Sequence, residues 1–312
     1  AEQACATGLQ AMVLGAAEVQ GGGQDVVGVL TFDRTSDSPV GVFPERRSYE
    51  RTQAIGDVWD NFGFDPSTGG AMITCAGTAA RKYKLDRAEV DELAFHRYEQ
   101  YFAARDSGWL AERVCVPLEL LNMQGRSMGV VDKDAGIRKI TMPALRAMFE
   151  MDTCVTGGGQ THASDGMACM LVTTPERAKE LSPRPEIDIQ LLGKCEIRTQ
   201  PGLMPEAPAL ATGKLLERLG LSLDEISVIK THNPFAVNDA IFAKVFNYDW
   251  RKMNNNGSSL VWGHPQGPTL TRLAIEGFEE AVDLGGGFVL LCGCAAGDVG
   301  IAAVFAVTEG GK

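Results

Sequence analysis

Gly263-His264-Pro265-Gln266-Gly267, an amphipathic run to Leu284, Gly285-Gly286-Gly287, and an apolar run closing on Cys292-Gly293-Cys294 form one loop–helix–strand unit within Asn254–Gly300. A histidine and a thiol bracket that unit, both where the chain turns. Turns beside strand ends are where an α/β protein exposes its chemistry, so the unit predicts an α/β fold with a site at its edge.

The rest of the chain sets bounds on that site. Its 312 residues are enough for one large or two medium domains, and 45% hydrophobic with 22% charged residues is ordinary for a soluble globular protein. A formal charge of −11 argues against nucleic acid as a partner, so an anionic ligand would need local help from Lys, Arg or helix N-termini. The longest apolar stretch, near Phe288–Ala296, is too short and glycine-rich to span a bilayer. Eight scattered cysteines, with no CxxC pair and no zinc-ligand spacing, point to a reduced, cytoplasmic protein rather than a disulfide framework. Residue 1 runs straight into Ala4-Cys5-Ala6-Thr7-Gly8 without an initiator Met, which reads as a fragment or as a chain whose N-terminal neighbour lies elsewhere.

Taken in order, Leu9, Met12, Val13, Ala16 and Val19 recur at helical spacing over Thr7–Gln20. Gly21–Gly23 stops that helix, and Asp25–Phe32 reads as a strand of the fully buried type. Residues 33–66, with Arg46, Arg47 and Arg51, have weak periodicity and read as an excursion from the sheet. A helix is predicted over Ser67–Lys84, and Asp86-Arg87-Ala88-Glu89 has capping-box spacing that opens another to about Arg105. Asn122–Ile140 reads as irregular and Pro143–Met151 as a short helix, so 33–162 is predicted to be a mostly helical insertion. Strands follow at Met167–Val172, Ile187–Ile197, Ile226–Lys230 and Ile301–Thr308, with helices at Pro175–Leu181 and Ala207–Leu219. Pro234 suits the first turn of a helix to about Val245. One echo stands out. Cys5, a helix, three glycines and a strand resemble His264, a helix, three glycines and a strand, as though two similar halves each presented a reactive residue at a helix start.

Cys5 sits at a predicted helix N-terminus, where N–H groups favour a thiolate; the bland reading is a small buried hydrophobe. His264, between Gly and Pro, is placed either to take a proton from a thiol or simply to bond the turn backbone. Cys292 and Cys294 share one face of a strand, and either could be a second acid/base thiol. His232, at a strand end, is a candidate donor to an oxyanion or a backbone-held structural residue. His162 neighbours Gly157-Gly158-Gly159 and could contact a ligand, whereas His96 lies in a charged helix and reads as surface. No histidine pair has metal spacing, so no metal is expected, and neither triple glycine carries a Walker lysine or GxGxxG spacing.

Five ordered motifs then carry a resemblance. They are Ala4-Cys5-Ala6-Thr7-Gly8, Ser164-Asp165-Gly166-Met167-Ala168, His232-Asn233-Pro234-Phe235-Ala236, Asn255-Asn256-Gly257 through Gly267, and Cys294-Ala295-Ala296-Gly297-Asp298-Val299-Gly300. Together they span essentially the whole chain, which resembles the thiolase family. The resemblance implies a five-layered α-β-α-β-α core of two similar βαβαβαββ halves, with a loop domain covering coenzyme A. Residues 1–32 with 163–185 would be an incomplete N-terminal half, 33–162 the loop domain, and 186–312 the C-terminal half.

By the same resemblance, Cys5 would become the acyl-enzyme, His264 would activate it and share an oxyanion hole, and Cys294 rather than Cys292 would move the second proton. Thr161 falls where the family has a serine near the pantetheine arm, with His162 beside it. His232 stands in place of the usual Asn, as in the sterol-carrier-type branch, and Ala296 occupies a glycine position that lends an oxyanion N–H. The implied reaction is thiolytic cleavage of a β-ketoacyl-CoA, or the reverse Claisen condensation. Coenzyme A would be a substrate, with no permanently bound cofactor. The two departures at His232 and Ala296 suggest a bulky or aromatic acyl group such as benzoylsuccinyl-CoA. A homodimer or dimer of dimers is implied, and some relatives in this branch work with a small zinc-ribbon/OB-fold partner. A catalytically silent thiolase-fold subunit or a CoA-binding scaffold is the alternative.

Overall fold

A computed structural model describes residues 1–37, 40–44, 53–57, 60–65 and 68–310. Arg46, Arg47, Arg51 and Ser67 lie outside the described residues.

Chain order begins with a 3-10 turn, Ala4–Ala6, running directly into α1 (Thr7–Gln20) and then β1 (Val26–Asp33). The insertion holds β2 (Val40–Pro44), β3 (Gln53–Asp57), α2 (Asp60–Gly63), α3 (Met72–Tyr83), α4 (Arg87–Asp106), β4 (Leu118–Leu121), β5 (Ser127–Val131), α5 (Met142–Arg146), β6 (Glu150–Asp152) and β7 (Val155–Thr156). The chain returns through β8 (Gly166–Thr173), α6 (Pro175–Leu181), β9 (Ile187–Arg198) and α7 (Ala207–Leu219). It ends with β10 (Ile226–His232), α8 (Ala236–Phe246), α9 (Ser259–Trp262), α10 (Pro268–Asp283), β11 (Gly287–Ala295) and β12 (Val299–Glu309).

The C-terminal half is a four-stranded sheet in the order β10-β11-β12-β9, with β10 and β11 parallel and the other pairs antiparallel. β10, β11 and β12 are buried between α7 on one side and α10 on the other, whereas the edge strand β9 is only partly covered, by α7. In the N-terminal half, β1 pairs antiparallel with β8, and α1 packs on that pair and on α10. The layers thus run α7, four-stranded sheet, α10 with α1, two-stranded sheet, and the mixed architecture is the predicted α/β one. The repeat of helix, glycines and strand corresponds to the two central helices lying against each other.

Some local expectations need correction. β1 is not buried on both faces: Val29 and Thr31 are buried, Thr31 Oγ1 reaching Thr271 of α10 at 3.1 Å, while Leu30 and Phe32 are 73% and 78% exposed. On β8, Met167 and Leu171 are exposed on the same outer face. An apolar run reports what a strand could bury, not whether a second layer covers it. The insertion combines helices with three antiparallel hairpins, and β4–β5 occupies part of the stretch read as irregular. Gly125, at φ 72° in the turn between β4 and β5, supplies the left-handed backbone that the turn needs. Gly69 and Gly70 precede α3 rather than sitting in its first turn. α8 starts two residues after Pro234, whose carbonyl instead accepts the Thr161 N–H at 2.8 Å.

Candidate active site

Two helix starts converge to make the site. Cys5 lies in the 3-10 turn that feeds α1, and His264 lies just before α10, whose first residue is Pro268. A Cβ at Gly8 would stand 2.4 Å from Thr271 Oγ1 and 2.7 Å from the Gly267 carbonyl. Only glycine lets the first turn of α1 come this close to the first turn of α10. The consequence is that Cys5 Sγ and His264 Nε2 are 3.0 Å apart.

His264 is held from three sides. Its Nδ1 bonds Thr269 Oγ1 at 2.6 Å, its backbone N–H donates to the His162 carbonyl at 2.8 Å, and its ring stacks on His232 with centroids 4.1 Å apart. Burial lowers its pKa to about 3, so the imidazole is neutral at pH 7 and free to accept a proton at Nε2. Burial pushes the Cys5 thiol up to about 12, against a lowering from the Ala296 backbone N–H. Desolvation therefore outweighs the helix N-terminus that the sequence suggested would favour a thiolate. The resting pair is a thiol beside a neutral imidazole.

His232 closes β10 and is fully buried. Its Nδ1 meets Ser259 Oγ at 2.9 Å, while Nε2 has no hydrogen-bond partner. Burial first, and His264 second, hold its pKa well below the ordinary value. The pairing of His232 with Gly293 on β11 brings it beside the cysteine pair, and a Cβ at Gly293 would press within 3.0 Å of His232 Cβ.

Cys292 and Cys294 are both fully buried but have different neighbours. Cys292 lies beside Thr212 of α7, and burial raises its pKa to about 12. Cys294 accepts from Asn238 Nδ2 at 3.4 Å. Its pKa is raised well above the ordinary thiol value by burial and by the nearby Cys5. Asn238 Oδ1 takes the Phe235 N–H at 3.3 Å, which turns the amide so that its NH₂ faces the sulfur. Cys294 is thus the thiol of the pair that lies in the field of Cys5.

The remaining candidates sit at the rim. Thr161 Oγ1 donates to the Ser259 carbonyl at 2.5 Å, His162 is half-buried with an unpartnered Nε2, and Ala296 is exposed while its N–H reaches Cys5 Sγ. Four contributors escaped the sequence reading: Ser259, Thr269, Asn238 and Gln266, whose Oε1 lies 3.3 Å from Cys5 Sγ. Asn238-Asp239 inside the otherwise apolar Ala236–Ala243 was the available signal, since adjacent polar residues in a buried helix need partners.

Spacing along the sequence also hid a metal-type cluster: Cys5, His232 and His264 each offer a ligand atom within 4.8 Å of the others. A tetrahedral zinc would hold sulfur and nitrogen about 3.5 Å apart and needs lone pairs that converge. The 3.0 Å Sγ–Nε2 contact and the stacking of the two rings at 29° fit proton transfer better than chelation.

Comparison with known proteins identifies the family. The family described as "Thiolase, N-terminal domain" matches residues 1–176, and "Thiolase, C-terminal domain" matches residues 189–307. The chain belongs to the thiolase family. Acetyl-CoA acetyltransferase 1 of Arabidopsis thaliana is 27% identical over 286 residues, covering 87% of this chain and 66% of that protein. Beta-ketothiolase BktB of Cupriavidus necator is 28% identical over 309 residues, covering 96% of this chain and 77% of that protein. The chain spans about two thirds of the length of the first curated relatives it matches, 66% for the Arabidopsis protein. Among solved structures, the Bacillus anthracis acetyl-CoA acetyltransferase superposes with a TM-score of 0.86 at 26% identity, over 98% of this chain and 78% of that one. Human mitochondrial 3-ketoacyl-CoA thiolase in complex with CoA has the same fold, with a TM-score of 0.83 at 24% identity over 98% of this chain and 76% of that one. No helix among the described residues is long and apolar enough to cross a membrane.

Proposed function

We propose that this chain carries a thiolase-type acyl-CoA C-acyltransferase activity, with Cys5 as the nucleophile. The 3.0 Å contact between Cys5 Sγ and His264 Nε2 is the observation that carries the reading. In the cleavage direction, Cys5 sulfur bonds to the β-carbonyl carbon of a β-ketoacyl-CoA and its proton passes to His264 Nε2. The negative charge on the carbonyl oxygen is met by N–H groups at the helix starts and by His232. The Cα–Cβ bond then breaks, and Cys294 supplies the proton that the departing acyl-CoA carbon takes up. In the second half, the sulfur of coenzyme A attacks the acyl-Cys5 thioester and its proton goes to Cys294, while His264 returns its proton to the released Cys5 sulfur, restoring both thiols. Condensation runs the same steps backward through the same groups.

Coenzyme A enters this proposal as substrate, with Thr161, His162 and the Ala296 edge at the rim where the pantetheine arm would approach. The bulky acyl group suggested by His232 and Ala296 finds no support in the cluster's geometry. Similar proteins carry the names acetyl-CoA acetyltransferase and beta-ketothiolase, so a simple acyl group is the reading we favour. Separating the half-reactions tests the scheme. Cys294→Ala should still accept an acetyl group from acetyl-CoA on Cys5 while losing at least about 100-fold in overall turnover. Full turnover by that variant would remove Cys294 from the mechanism, and complete failure to acylate would show that Cys5 cannot react without it.

A further inference from the structure

The His232 ring has one polar partner, Ser259 Oγ, and one free nitrogen. A neutral imidazole carries a single ring proton, and which nitrogen bears it depends on what the other nitrogen bonds. Only a proton on Nε2 can be donated to substrate; a proton on Nδ1 would present a lone pair to an oxyanion and repel it. Whatever sets the direction of the Ser259 hydroxyl therefore sets what His232 can do.

That direction can be worked out from the buried groups around it. Asp239, fully buried, receives Arg97 Nε at 2.9 Å, Asn233 Nδ2 at 2.7 Å, Asn254 Nδ2 at 3.0 Å and Thr231 Oγ1 at 2.5 Å. Arg97 is itself buried and donates again to the Trp250 carbonyl at 2.8 Å, which anchors the carboxylate from α4 of the insertion. Because the carboxylate only accepts, Asn233 must turn its NH₂ toward Asp239 and its Oδ1 toward Ser259 and Leu260. Leu260 N–H donates to that Oδ1 at 3.0 Å, so it is already satisfied. Asn233 N–H donates to Ser259 Oγ at 3.2 Å. The one hydrogen on Ser259 then has two destinations, Asn233 Oδ1 at 3.1 Å or His232 Nδ1 at 2.9 Å. Donation to Nδ1 leaves both His232 Nδ1 and Asn233 Oδ1 with a donor and leaves the ring proton on Nε2. His232 places a ring nitrogen within 4.8 Å of Cys5 Sγ and of a His264 nitrogen, where that proton is useful.

We propose that Ser259 is a positioning residue, whose hydroxyl donates to His232 Nδ1, fixes the ring and keeps its proton on Nε2 for a developing oxyanion. Asn233, locked by Asp239 and Arg97, holds Ser259 to that task. Thr161 bonds the Ser259 carbonyl from the rim, so the same residue links the pantetheine side to the oxyanion side. The inference rests on the acyl-transfer reading for its purpose, though not for the tautomer itself.

The test uses the whole chain with ¹⁵N-labelled histidine, as wild type, Ser259→Ala and Ser259→Thr. Long-range ¹H–¹⁵N spectra should show His232 protonated on Nε2 in the wild type and a shift toward Nδ1–H or a mixture in Ser259→Ala. In the same samples, kcat for acyl transfer should fall about 10- to 100-fold in Ser259→Ala with KM changed less than about threefold. Alkylation of Cys5 by iodoacetamide, which develops no oxyanion, should keep its rate within about twofold. Ser259→Thr, retaining the hydroxyl, should lie closer to wild type than Ser259→Ala in both tautomer and kcat. An Nδ1–H ring in the wild type, or a Ser259→Ala protein with unchanged tautomer and kcat, overturns the proposal. Absence of any acyl-Cys5 in the wild type would instead sink the acyl-transfer reading, and the spectra would still decide the role of Ser259.

Discussion

Cys5 Sγ and His264 Nε2 lie 3.0 Å apart although 259 residues separate them along the chain. Neither residue is on a long loop. Each sits at the entry to one of two central helices, α1 and α10, which pack on each other at their first turns. The reactive pair is therefore a by-product of helix packing, and its distance depends on how closely the helices approach.

Gly8→Ala tests that dependence. The added Cβ would meet Thr271 Oγ1, the Gly267 carbonyl and Thr271 N at 2.4, 2.7 and 2.9 Å, two of which are backbone atoms with little room to give. The helices must separate, at a cost of about 1–3 kcal/mol in urea unfolding. Acylation of Cys5 should slow by more than the fraction of unfolded protein explains. Normal stability and normal acylation in this variant would show that the close approach is incidental.

Alkylation of Cys5 reads the protonation state of the pair. With its thiol pushed up to about 12 and His264 lowered to about 3, the pair is uncharged at neutral pH. The iodoacetamide rate should climb by about tenfold per pH unit from pH 7 to pH 10. A thiolate–imidazolium ion pair would give a plateau across that range, and observing one would contradict the assignment.

Stability should also decline on both sides of neutrality. An unfolded histidine takes up a proton near pH 6.5, while buried His264 resists until about 3. Unfolding is thus favoured as pH falls through that window, by about 1.4 kcal/mol per pH unit for each such histidine. His232 adds in the same direction. At the alkaline end, Cys5 and Cys292 keep their protons to about 12, whereas in the unfolded chain they lose them near 9.0. Their contribution is complete below 9.0 and drains away as pH rises toward 12. Thermal melts from pH 4 to pH 11 should show a broad maximum between about 6.5 and 9; a melting temperature that keeps rising as pH falls below 6.5 would contradict the buried neutral histidines.

Arg97→Met should be among the most damaging changes far from Cys5. It strands the fully buried Asp239 carboxylate, and removing one partner of such a pair costs about 3–5 kcal/mol. Adding Asp239→Asn should recover part of that loss, because the leftover charge is then gone. Chemical denaturation of the two single variants and the double variant measures the coupling, and additive losses would argue against it.

Much of this architecture was legible because it is local. α1 follows the spacing of Leu9, Met12, Val13 and Ala16 and runs over Thr7–Gln20 as the pattern predicts. α10 and β11 likewise follow amphipathic period and apolar run. What failed was non-local. Leu30 and Phe32 have the composition of a buried strand but no layer over them among the described residues. Pro234 looked like a helix start, but its carbonyl is engaged by Thr161 and Asn238 caps Phe235 instead. At the site, Cys5, His264, His232 and the Cys292–Cys294 pair stand out in the sequence because reactive side chains at turns and strand ends are few. Ser259 and Asp239 did not, since a serine or an aspartate acquires meaning only from partners that the fold brings to it. Cys292 and Cys294 were inseparable by strand parity; Thr212 beside one and Asn238 beside the other distinguish them.

The most direct test of the central claim is the intact mass of the protein after brief exposure to acetyl-CoA and acid quenching. The account predicts one added acetyl group, located by peptide mapping on Cys5, absent in Cys5→Ala and lost again when coenzyme A is supplied. An unmodified wild-type protein, or an acetyl group on any other cysteine, would contradict it.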